Sequence, residues 1–89
     1  MYSYEYSGRL EKILKKLSKK NKQLYEQILK KVKEIINSSN IEHYKNLKYD
    51  MKDYKEVHIG HFVLVFGFDK NDNKVLFDDF DHHDKIFKR

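Results

Sequence analysis

Apolar residues recur along this chain with two different periods, and the change between them divides it in half. Tyr2, Tyr4 and Tyr6 alternate with polar residues, the two-residue period of a short strand with one aromatic face. Ser7 follows as a candidate N-cap. From there Leu10, Ile13, Leu14 and Leu17 recur at helical spacing and predict an amphipathic helix of about three turns. Ser18-Lys19-Lys20-Asn21 reads as a short polar break. Leu24, Ile28, Val32 and Ile35, flanked by Tyr25, Leu29 and Ile36, predict a second helix with a wider apolar stripe. Asn37-Ser38-Ser39-Asn40 ends it with turn-forming residues. The short link between the two helices predicts an antiparallel helical hairpin.

Residues 41–52 read as irregular, with Leu47 and Tyr44 as apolar anchors, and then the period returns to two. Tyr54–Ile59 is one predicted strand and 61–68 a second, joined tightly at Gly60. Residues 62–66 are apolar on both faces and predict the central strand. The cluster 69–73 is a turn, and 74–80 the returning strand. The predicted class is α+β, in the order β-α-α-β-β-β. An N-terminal strand and an antiparallel helical hairpin precede a mainly antiparallel three-stranded meander, in one small sheet. At 89 residues, with no repeat, linker or low-complexity tract, a single domain over 1–89 is expected.

Composition narrows the setting. Hydrophobic residues at 39% suffice for a core, and 15% aromatics argue against disorder. With no cysteine there are no disulfides and no thiolate metal sites, which fits a reducing compartment. No apolar run reaches bilayer length and no signal-peptide core opens the chain, so the expectation is a soluble cytoplasmic protein without a membrane role. The net charge of +5 is unevenly spread: residues 1–36 hold ten Lys/Arg against four acids, whereas 69–84 hold six aspartates. A basic body suits phosphate or an acidic partner, although lysine-rich helical faces are more often simply solvated.

The candidate chemistry lies in the C-terminal half, which holds four of the five histidines. His58 and His61 flank one strand junction, and His82 and His83 follow the last predicted strand. Imidazole has an unperturbed pKa of roughly 6.5, so it exchanges protons at neutral pH. A metal-independent ribonuclease needs a base for the 2′-hydroxyl, charge for the phosphorane and an acid for the leaving oxygen. His58, His61 and His83 are candidates for proton transfer, Lys45 and Lys55 for charge, and Lys48 and Lys52 for further RNA contacts. Phe62 and Phe87 are candidates for stacking on an unpaired base. His43 and His82 read as surface residues. Under strict alternation Lys55 faces away from His58, so both reach one phosphate only through a twist or bulge. The acidic cluster 78–84 lacks recognised metal-ligand spacing, so no metal or cofactor is implied.

Taken in order, these pieces resemble the RelE/ParE toxin superfamily, in particular its YafQ-like branch. The resemblance runs from the N-terminal strand and helical hairpin through Lys45-Asn46-Leu47. Its most specific stretch is Tyr54-Lys55-Glu56-Val57-His58-Ile59, similar to that branch's Tyr-Arg-Asp/Glu-Ala-His-Val segment. The apolar strand Phe62-Val63-Leu64-Val65-Phe66 comes next, and His83-Asp84-Lys85-Ile86-Phe87 resembles a His-x-x-Leu-Phe terminus. The resemblance implies a toxin of a type II toxin–antitoxin system that cleaves mRNA in the ribosomal A site. It implies an acidic RelB/DinJ-like antitoxin in a hetero-oligomer, and active-site roles for His58, His83 and Phe87. On this basis His83 is assigned as general acid, His58 as base or phosphate ligand, and Lys45 and Lys55 as charge stabilisers. There are departures: His61 stands where relatives carry aspartate, Lys45 where they carry histidine, and Val63 where RelE-type members carry arginine. A ParE-like gyrase inhibitor without catalysis, or a degenerate toxin that only binds its antitoxin, is the alternative.

Overall fold

Ser7 ends one element and begins the next. Its amide donates to the Phe77 carbonyl at 2.8 Å, and its hydroxyl accepts the Leu10 amide at 3.1 Å. The computed structural model describes residues 1–46 and 54–87; Leu47, Lys48 and Lys52 lie outside them, and with them the contacts expected of those residues. Strand β1 (Ser3–Tyr6) leads through this cap into α1 (Gly8–Lys20) and α2 (Lys22–Ile36). The expected four-residue break between the helices is one residue, Asn21. Its amide closes α1 on the Leu17 carbonyl, while its side chain accepts the Leu24 amide and opens α2. One asparagine performs both caps, so Ser18, Lys19 and Lys20 remain helical.

A short 3-10 turn (Ile41–His43) follows, then β2 (Tyr54–Ile59), β3 (Phe62–Asp69), β4 (Lys74–His82) and a one-turn helix α3 (His83–Ile86) that sequence periodicity did not predict. The sheet order is β1-β4-β3-β2. The three C-terminal strands form the expected antiparallel meander, and β1 adds to β4 in parallel. Strand β3 lies between β2 and β4, as its two-sided apolar character predicted.

The helices cover one face. Leu10, Leu14, Ile28, Val32 and Ile35 pack there against Leu64, Phe66, Val75, Phe77 and Phe80. Burying rings such as Phe66 and Phe77 stabilises the fold by about 1.5–3 kcal/mol each. A bulge shapes the other face. Val65 pairs with Asp79 but Phe66 pairs with Phe77, which leaves Asp78 as an extra residue in β4. The inserted residue reverses the parity of the strand. Phe80 therefore joins Val75 and Phe77 under the helices, and Asp79 and Asp81 stand opposite Val65 and Val63 on the other face. Among the described residues no helix is long and apolar enough to cross a membrane.

Candidate active site

Strict alternation along β2 sorts its side chains into two sets. Lys55, Val57 and Ile59 pair with Phe66, Leu64 and Phe62 on the helix-covered face; Glu56 and His58 pair with Val65 and Val63 on the open one. The bulge that Lys55 would need in order to join His58 lies in β4 instead. Lys55 is buried, and its ammonium donates to the Glu42 and Tyr44 carbonyls at 3.4 and 3.2 Å and to Asn46 Oδ1 at 2.9 Å. This lysine anchors the 41–46 segment to the sheet. The role of charge stabiliser expected of it is not one its position serves.

Glu56 takes the place beside His58. Its Oε1 lies 3.3 Å from His58 Nε2; the carboxylate side chain is 2% exposed and the imidazole 49%. Glu56 Oε2 is buried with no hydrogen-bond partner among the described residues. A buried carboxylate fixes the orientation of the ring and leaves Nδ1 to meet a ligand. Residue type alone does not single out Glu56, yet its spacing does: residues two apart on a strand share a face.

His83 reaches this face from α3. Ile86, one turn further on, packs with Val63 and Val65, and Tyr54 and Phe87 flank that cluster. This docking swings His83 over the sheet. Its ring centroid lies 5.5 Å from that of His58 and 4.5 Å from that of Phe87. The open face therefore holds two half-exposed imidazoles over Val63, Val65 and Ile86, with Asp79 and Asp81 on the same face, a buried carboxylate behind one imidazole and an aromatic ring beside the other.

The remaining candidates are distributed elsewhere. Lys45 accepts the Glu56 amide at 2.9 Å through its carbonyl, and the adjacent Asn46 pairs with Lys55, so Lys45 stands beside Glu56 at the sheet edge with its side chain exposed. His61 is exposed at the hairpin tip and stacks with His82 at 6.3 Å. It lends its carbonyl to the His83 amide at 2.9 Å and does not join the histidine pair. His82 caps α3 by accepting the Asp84 amide at 3.3 Å. Phe62, partly buried, stacks on Phe80 at 5.1 Å against the helix-side core; alternation turns it away from Val63 and from the face that holds His58 and His83. Asp79 is buried with its carboxylate 3.2 Å from Arg9 Nη1. Among the described residues no three His, Asp or Glu side chains are grouped to hold a metal ion.

Comparison with known proteins decides the family. Residues 4–87 match the model of the ParE toxin of type II toxin–antitoxin systems, parDE. The chain belongs to the ParE toxin family. A candidate toxin, RelE4, of Methanocaldococcus jannaschii is 51% identical over 90 residues, covering 100% of this chain and 94% of the relative. An uncharacterised protein of Methanosarcina mazei is 47% identical over 98% of this chain and 100% of its own length. Among solved structures, Mycobacterium tuberculosis RelBE2 superposes with a TM-score of 0.74 at 15% identity, covering 92% of this chain and 98% of that one. Escherichia coli YafQ gives 0.70 at 20% identity, covering 98% and 99%. These neighbours share the fold, and this chain is a type II toxin with the RelE/ParE fold.

The departure at Val63 has a physical meaning in this toxin. Val63 is fully buried and forms, with Val65, the seat on which Ile86 docks. An arginine there would displace α3 and the histidine it carries.

Proposed function

We propose that this toxin is a metal-independent endoribonuclease that cuts translated mRNA in the ribosomal A site. The observation that carries the reading is the convergence of His58 and His83 at 5.5 Å on the open face. The 51% identity to a candidate RelE4 toxin supports it, as does the fold shared with YafQ. His58, held by Glu56, takes the proton from the 2′-hydroxyl. The 2′-oxygen attacks phosphorus, the bond to the 5′-oxygen breaks, and His83 delivers a proton to that leaving oxygen. The products are a 2′,3′-cyclic phosphate and a 5′-hydroxyl. Lys45 stabilises charge on the phosphorane from the sheet edge, and Phe87 stacks on a base next to the cut.

The partner in this reading is an acidic antitoxin of RelB/DinJ type, held against the exposed basic faces of α1 and α2. One of the fold neighbours, Mycobacterium tuberculosis RelBE2, was solved as a toxin–antitoxin complex, which supports it. The place of action is the cytoplasm, where translating ribosomes are found. A second reading, a ParE-like gyrase inhibitor, is favoured by the description of the matching family model. It gives no reason for two imidazoles to converge. A degenerate toxin that only binds its antitoxin is favoured by Val63 in place of arginine.

The deciding experiment is primer extension on mRNA in programmed ribosomes, with His58→Ala and His83→Ala alongside the unaltered toxin. Ribosome-dependent cuts that disappear in either variant are expected. Intact mRNA at full occupancy would reject the nuclease and send the next assay to gyrase.

A further inference from the structure

His58 borders a second feature. Strand β2 is the edge of the sheet, and between it and α2 lies a cavity of about 300 Å³ lined by Gln27, Lys30, Lys31, Glu34, His58 and Gly60. The Glu56 amide points outward from this edge to Lys45, and alternation of the ladder turns the His58 amide the same way. Beside the apolar Ile59, the walls offer several donors: two ammonium groups, a carboxamide, an imidazole and main-chain N–H. Among the described residues Glu34 is the only carboxylate in the lining. It is bonded to Lys31 at 2.7 Å, and that hydrogen bond holds its carboxyl below the usual range. Among the described residues Lys30 forms no ion pair.

We infer that this cavity is a phosphate subsite for the RNA strand, holding the phosphodiester next to the one that is cut, with Lys30 as its main charge. The inference rests on the nuclease reading and extends it. His58 lies on the wall between the two sites, so an RNA backbone crossing from the open face over the β2 edge meets the histidine pair first and the lysines next. A phosphate suits the cavity because its oxygens take several donors at once, and single-stranded backbone is bound mainly through such contacts.

The test is an NMR titration of the toxin with a trinucleotide RNA that carries 2′-O-methyl groups and so is not cleaved. The His58 and Gly60 signals should move. Lys30→Gln should weaken binding several-fold and lower the slope of log affinity against log salt by about 0.7, the value of one lost single-strand phosphate contact. Glu34→Gln should strengthen binding, and Lys70→Gln in the turn after β3, outside the cavity and off both helices, should leave it unchanged. Affinity indifferent to both Lys30→Gln and Glu34→Gln would overturn the subsite. So would movement of these signals with a glutamate-rich peptide but not with the RNA. The nuclease reading fails separately. Cleavage retained in Lys30→Gln with unchanged KM removes the subsite and keeps the enzyme, whereas Lys30-dependent binding without any ribosomal cleavage keeps the subsite and removes the chemistry.

Discussion

Glu56 Oε1 stands 3.3 Å from Nε2 of His58, and the carboxylate is buried while the imidazole is half exposed. The pair sits on one strand, two residues apart, so its geometry follows from the pleat alone. Glu56→Gln keeps the shape and removes the charge. It should lower kcat for ribosomal mRNA cleavage by roughly ten- to a hundredfold, the range for outer partners that orient a metal-binding histidine, with little change in KM. Single-turnover cleavage checks this, and an unaltered kcat would remove Glu56 from the mechanism.

His58→Ala and His83→Ala should each reduce cleavage by about 10²–10⁴, the usual contribution of a positioned acid or base. Thermal unfolding should barely change in His83→Ala, whose ring is half exposed, whereas His58→Ala also strips the buried Glu56 carboxylate of its imidazole and should lower Tm modestly. A loss of activity matched by a large fall in Tm would point to folding instead.

Ile86→Ala tests whether α3 positions His83. Ile86 touches no substrate in the proposed mechanism, yet its packing with Val63 and Val65 is what brings His83 over the sheet. Activity should fall nearly as far as in His83→Ala, while Ile86→Leu, which keeps the volume, should restore most of it. Loss of the cross-peaks between the His58 and His83 rings in NMR would show the displacement directly.

Lys55→Met should act on stability rather than chemistry. It removes the donor shared by the Glu42 and Tyr44 carbonyls and Asn46 Oδ1, at a cost of about 1–3 kcal/mol. In a chain of this size each kcal/mol lowers Tm by roughly 4–8 °C. Cleavage per folded molecule should persist; its abolition with unchanged Tm would restore Lys55 to the site.

Gly60→Ala tests the β2–β3 turn. Gly60 has φ of 61°, in the left-handed region where a Cβ meets the following carbonyl. Among the described residues nothing lies within 4 Å of an added Cβ, so the effect is backbone strain, about 1–2 kcal/mol. Urea unfolding gives the number, and a neutral result would mean that the turn relaxes to another conformation.

Period and punctuation determined the elements. Leu10, Leu14, Ile28 and Val32 fall on the buried helical stripe because a helix must hide its apolar side, and the two-sided strand at 62–66 had to be internal for the same reason. The facing of Lys55 and His58 was also fixed locally, by alternation. What local pattern could not supply was the register between strands and the docking of distant pieces. The bulge at Asp78 depends on how β4 pairs with β3, and it alone sends Phe80 inward while Asp79 and Asp81 take the open face. The seat of Ile86 on Val63 and Val65 joins residues more than twenty positions apart, and without it His83 has no reason to meet His58. Residue type and spacing along the chain thus chose the chemistry available, and packing between segments decided which of those groups stand together.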